Sequence, residues 1–68
     1  MTEDKFASVR HLEGRDIKII GKSHPWYGEL GRIKKFDIIG GRPGCVVELI
    51  EQAGHECTVY NGNEIKYI

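Results

Sequence analysis

The stretch Ile17 to Ile33, IKIIGKSHPWYGELGRI, constrains this chain more than any other. Ile17 and Ile19 alternate with Asp16 and Lys18, the period-two pattern of a strand with one buried face. Gly21 interrupts the alternation, His24-Pro25-Trp26-Tyr27 reads as an exposed loop, and Gly28 and Gly31 lead into a second strand. A phosphate-cradling loop needs a helix N-terminus behind it. Here a strand follows, so the two glycines serve backbone geometry, either a positive φ or a close approach of strands. A strand, a loop rich in aromatics and glycine, and a returning strand are how small barrels open, and such loops are where they meet partners.

The remainder of the chain continues in strands. Leu30 to Ile39 is a second, longer strand, and Ile33 with Lys35 or Phe36 shifts the phase, which predicts a bulge. Gly40-Gly41-Arg42-Pro43-Gly44 is a turn, and Cys45 to Ile50 is the most buried strand, being β-branched and almost wholly apolar. Ala53-Gly54 turns it into His55–Tyr60, and Asn61-Gly62-Asn63 turns again before a last strand from Glu64 to Ile68. Five short strands with turns at this spacing predict a small closed or nearly closed barrel, and closure removes aggregation-prone edges.

Ahead of the strands, Thr2-Glu3-Asp4 resembles a helix start, with a capping hydroxyl and acids in the first turn. Phe6, Val9 and Leu12 recur at helical spacing, and Gly14 ends the segment. A helix this short is marginal alone, so its apolar stripe must dock. The expectation is residues 1–14 as a helix packed on a barrel of residues 15–68. The sharper alternative makes Phe6, Val9 and Leu12 a homodimer contact.

Sixty-eight residues make one domain near the lower limit for a chain that folds without staples. The apolar runs are far shorter than the ~20 residues that span a bilayer. Met1 to Leu12 lacks a basic start followed by an apolar core, so no secretion leader is expected and the cytoplasm is the default. If the chain turns at Ala53-Gly54, Cys57 lies opposite Ile50 and Cys45 near Gly62. A disulfide needs Cα atoms within roughly 7 Å, and this register separates the sulfurs, which predicts two free, buried thiols.

The formal charge is zero but unevenly spread. Residues 15–42 carry Arg15, Lys18, Lys22, Arg32, Lys34, Lys35 and Arg42 against Asp16, Glu29 and Asp37, a net of +4. Residues 43–68 carry Lys66 against Glu48, Glu51, Glu56 and Glu64, a net of −3. Such asymmetry either steers a polyanion or an acidic protein to one face or reflects solvated strand charges.

Ile17-x-Ile19-x-Gly21 followed by Gly28-x-x-Gly31-x-Ile33 resembles a KOW motif. The resemblance implies an all-β fold, a five-stranded SH3-like barrel with the short N-terminal α-helix added, and contact with RNA or protein. Ser23-x-x-Trp26-Tyr27-x-Glu29-x-Gly31-x-Ile33 also resembles the small SH3-like subunit of photosystem I and its relatives, an accessory module that helps a ferredoxin dock.

Trp26 and Tyr27 suit stacking on a base or anchoring in a protein partner. One of the two is expected exposed, while Trp26 can instead fold inward to close the barrel mouth. With zero net charge the leading expectation is a protein partner inside a larger assembly, bound through Lys22, His24, Trp26, Tyr27, Arg32 and Lys34. The alternative is RNA or DNA on the basic face of Lys18, Lys22, Arg32, Lys34, Lys35 and Arg42. His24, Cys45, His55 and Cys57 are the only conceivable metal set, and they lack the closely paired spacing of a zinc knuckle. No nucleophile, base and orienting group fall together. The expectation is a protein without metal, cofactor or catalytic residues.

Overall fold

The computed structural model describes residues 5–60 and 63–68. A 3₁₀ segment, Ala7–Leu12, precedes five strands: β1 (Asp16–Ile19), β2 (Leu30–Ile39), β3 (Arg42–Leu49), β4 (Glu56–Tyr60) and β5 (Ile65–Tyr67). All pair antiparallel in one sheet of order β4-β3-β2-β1-β5. The all-β expectation holds at that level.

The inner face is built by the alternation visible in the sequence. Ile17 and Ile19 of β1, Ile33 and Phe36 of β2, Cys45, Val47 and Leu49 of β3, Val59 of β4 and Ile65 of β5 form one buried cluster. The register slips between Ile33 and Lys35, at the predicted bulge, so that Phe36 rather than Lys35 joins Ile33 on the buried side. A bulge inserts one residue and bends its strand. Here it lets a ten-residue strand keep apolar side chains inward on both sides of the kink.

Four expectations are corrected. The sheet is not closed into a barrel: β4 and β5 are its two edges, with no ladder between them. Side chains cover part of the gap, since the Tyr60 backbone N–H donates to the Glu64 carboxylate at 2.8 Å. The N-terminal element is a 3₁₀ segment and not an α-helix. It spans six residues, and no side chain caps its start. Tighter i→i+3 bonds suit so short a piece, as from the Val9 N–H to the Phe6 carbonyl. The predicted start at Thr2-Glu3-Asp4 lies outside the described residues.

The third correction concerns the turn assigned to residues 40–44. Arg42 and Pro43 already pair with Ile39 and Ile38, leaving the tight turn to Gly40-Gly41. Pro43 stands at the second position of β3, next to the turn, where proline is best tolerated in a strand. The fourth is the β3–β4 register. Cys57 lies opposite Val47 and Cys45 opposite Val59, three positions from the register a turn at Ala53-Gly54 implies. That register would have set Cys57 opposite the outward Ile50. The observed one keeps Cys45, Val47, Cys57 and Val59 on one face. Both cysteines are free thiols, as expected. The Asn61-Gly62 part of the next turn lies outside the described residues.

Among the described residues no helix is long and apolar enough to cross a membrane.

Candidate interaction loop

Residues 20–28 link β1 to β2, and backbone hydrogen bonds hold the base of this loop shut. The Ile19 N–H donates to the Glu29 carbonyl at 2.9 Å, and the Gly28 N–H donates to the Ile19 carbonyl at 2.8 Å. Within the loop, the N–H groups of His24, Tyr27 and Glu29 donate to the carbonyls of Gly21, His24 and Trp26 at 2.9, 3.1 and 3.0 Å, making successive turns. Gly28 has φ +88°, a conformation that a side chain would strain.

His24 ties this loop to the far edge of the sheet. Its Nδ1 accepts from the Trp26 backbone N–H at 3.0 Å. The neutral ring therefore carries its proton on Nε2, which donates to the Thr58 carbonyl of β4 at 2.9 Å. Trp26 packs against the core cluster, its ring centroid 6.3 Å from that of His55. Tyr27, the next residue, is 55% exposed. Of the two aromatic side chains, then, Trp26 faces inward and Tyr27 faces solvent. Exposed Lys22 stands on the same loop.

Arg32 and Lys34 are not gathered with the loop. Both are exposed on β2, and Arg32 Nε bonds Asp16 Oδ1 at 3.0 Å. The wider basic set is partly neutralised. Lys35 Nζ lies 3.9 Å from Asp37 Oδ2, and the Arg42 guanidinium stacks over the Tyr60 ring at 4.3 Å. Lys18, on the exposed face of β1, is directly opposite Lys66 of β5. The strand read as Cys45 to Ile50 is corrected at its end, since β3 stops at Leu49 and Ile50 is exposed; Leu30 and Lys66, also exposed, were not assigned to a site. Their strand parity, out of phase with the buried residues, was the available signal.

Phe6, Val9 and Leu12 turn inward and pack on the core, with Phe6 stacked on Phe36 at 6.2 Å between centroids. Among the described residues no three His, Cys, Asp or Glu side chains cluster as metal ligands would. Burial pushes the Cys45 thiol up to about 11, with neighbouring Cys57 adding to the effect. Burial also raises Cys57, so neither sulfur is an activated nucleophile.

The chain matches no family model, no curated protein and no solved structure.

Proposed function

We propose that this chain is a non-catalytic interaction module, an SH3-like, KOW-type small β fold that recognises a protein partner through the loop of residues 22–29. The observation that carries the reading is Tyr27, an exposed aromatic on a loop whose base, His24 and Trp26 are all fastened to the sheet. A loop held in this way loses little conformational freedom on binding, and tyrosine supplies a large contact area with a polar tip. Exposed Lys22 adds a cation on the same loop. His24 and Trp26 position the loop, and Tyr27 makes the contact. The nucleic-acid alternative is the weaker one, because Arg32, Lys35 and Arg42 of its basic face already have partners within the chain.

A photo-crosslinking amino acid placed at Tyr27, with a second placed at exposed Ser8 as control, tests the reading in cells that make the protein. The reading expects a discrete protein adduct from position 27, absent from position 8 and competed by unlabelled wild type but not by Tyr27→Ala. Anisotropy titrations of labelled single-stranded RNA and duplex DNA run alongside. Salt-sensitive binding to either, with no protein adduct at position 27, would transfer the function to nucleic-acid recognition.

A further inference from the structure

Apart from the loop, the exposed face of the sheet carries two like-charge pairs. Lys18 of β1 stands directly opposite Lys66 of β5, and Glu48 of β3 directly opposite Glu56 of β4. Like charges directly across a ladder repel. Among the described residues, the ion pairs are Arg10–Glu13, Arg32–Asp16 and Lys35–Asp37, and none includes these four side chains.

Beside the cation pair lies an apolar stretch. Leu30 is opposite Lys18 in the ladder, and the Ile50 N–H donates to the Leu30 carbonyl at 3.1 Å. Leu30 is 36% and Ile50 43% exposed. Arg32, opposite Asp16 and Glu48 in its two ladders, is bonded to Asp16. The cation pair shares one cross-strand row with Leu30 and Ile50, and the anion pair ends the adjacent row, which runs Asp16, Arg32, Glu48, Glu56, so the two like-charge pairs stand diagonally across the face.

We propose that this face is a self-association surface, and that its partner is a second copy of this chain. A two-fold arrangement sets Lys18 and Lys66 of each copy against Glu48 and Glu56 of the other, with the axis passing between Leu30 and Arg32 of β2 and Ile50 packed beside it. The charge pattern selects this partner. An isologous interface must complement itself, and here equal and opposite charge pairs stand at opposite ends of one patch. A polyanion would be repelled by Glu48 and Glu56, and a polycation by Lys18 and Lys66. The chain carries no net charge to oppose its own association. The patch is small and its charges lie at the rim, so the dimer is weak and salt-sensitive.

Sedimentation equilibrium of the full chain over a wide concentration range, at about 20 mM and about 500 mM salt, is the test. Two double variants accompany it, Lys18→Glu with Lys66→Glu and Glu48→Lys with Glu56→Lys. Each keeps a like-charge pair across its own ladder, while Glu48→Lys also sets a cation opposite Arg32, so the folded state of each variant is checked by far-UV circular dichroism. The wild type is expected to dimerise with concentration and to do so less at high salt. Each double variant alone should dimerise at least about tenfold more weakly, and an equimolar mixture of the two should recover association as a heterodimer. Ile50→Ser, which removes apolar contact and leaves every charge in place, should weaken dimerisation as well and serves if a double variant fails to fold. A wild type that stays monomeric throughout overturns the proposal. So does dimerisation unchanged by the substitutions, or a mixture that fails to associate where the wild type does.

Discussion

At Gly31 a side chain has no room. A Cβ built there would overlap Val47 Cγ1 and lie 3.2 Å from the Glu48 carbonyl oxygen. Val47 is fully buried and cannot swing aside without displacing its neighbours. Gly31→Ala is therefore expected to destabilise the fold by about 1–3 kcal/mol, the range for overpacking a filled core, read as a lower urea midpoint with an unchanged slope. Cys45 supports a second prediction at this scale. Its thiol rises from the ordinary value of 9.0 to about 11 because it is buried, so the folded state holds that proton more tightly than the unfolded chain. Between those two pH values the unfolded chain has released the proton and the folded chain has not. The contribution to stability is thus complete below pH 9 and is lost as pH rises toward about 11. Urea titrations across this window should show a steeper loss of stability in the wild type than in Cys45→Ala. Equal slopes would mean that the buried thiol does not drive the alkaline transition.

Among the elements, β1, β2 and the bulge were legible from alternation, whereas β3 was legible only as an apolar run, without its start at Arg42–Gly44. Charged Lys34 and Lys35 between inward Ile33 and Phe36 leave no other way to keep both apolar side chains buried. The β3–β4 register was misread because Ala53-Gly54 looks like a two-residue turn, whereas His55 pairs back to Leu49 and the connection is longer. Parity was the overlooked clue, since Cys57 and Val59 share a face with Val47 only in the observed register. The loop's exposed Tyr27 lay within the range of sequence reasoning. Its His24 clasp did not, because Thr58 is 34 residues away and nothing local announces the contact. That clasp carries the element-scale prediction. His24→Ala removes both the acceptor for the Trp26 N–H and the donor to Thr58. At about 1 kcal/mol for each net hydrogen bond, the loss is enough to release the loop while the sheet remains folded. Faster amide exchange at Trp26 and a red-shifted tryptophan emission are expected, with far-UV circular dichroism unchanged. If exchange at Trp26 stays at the wild-type rate, the base of the loop alone holds it.

The whole molecule depends on its two ends meeting. β1 is a four-residue strand flanked by β2 on one side and β5 on the other, and its pairing with β5 runs from Ile17↔Tyr67 to Ile19↔Ile65. These contacts join positions roughly 50 residues apart, so the chain must be almost fully assembled before they form, which is the condition for slow folding. Beyond the ladder, the Ile20 N–H donates to the Glu64 carbonyl and the Ile68 N–H to the Asp16 carbonyl. Tyr67 titrates above its ordinary range because it is partly buried, with Cys45 adding to the shift and Arg15 opposing it. The C-terminal strand is thus seated against the same interior as β3. Ile65 is its one member of the buried cluster, but removing β5 would also uncover Ile17 and Ile19, which are fully buried. A domain of this size has little stability to lose. Truncation after Asn63 is therefore expected to abolish cooperative unfolding and not merely to fray one edge. The shortened chain should show a broad, sloping urea profile and no protected amides in β1 or β2. Ile65→Ala, which leaves the backbone ladder in place, should lower the urea midpoint and remain cooperative. If the truncated chain instead unfolds as sharply as the full one, β2, β3 and β4 suffice as a folding unit, and β5 serves only to cover an edge.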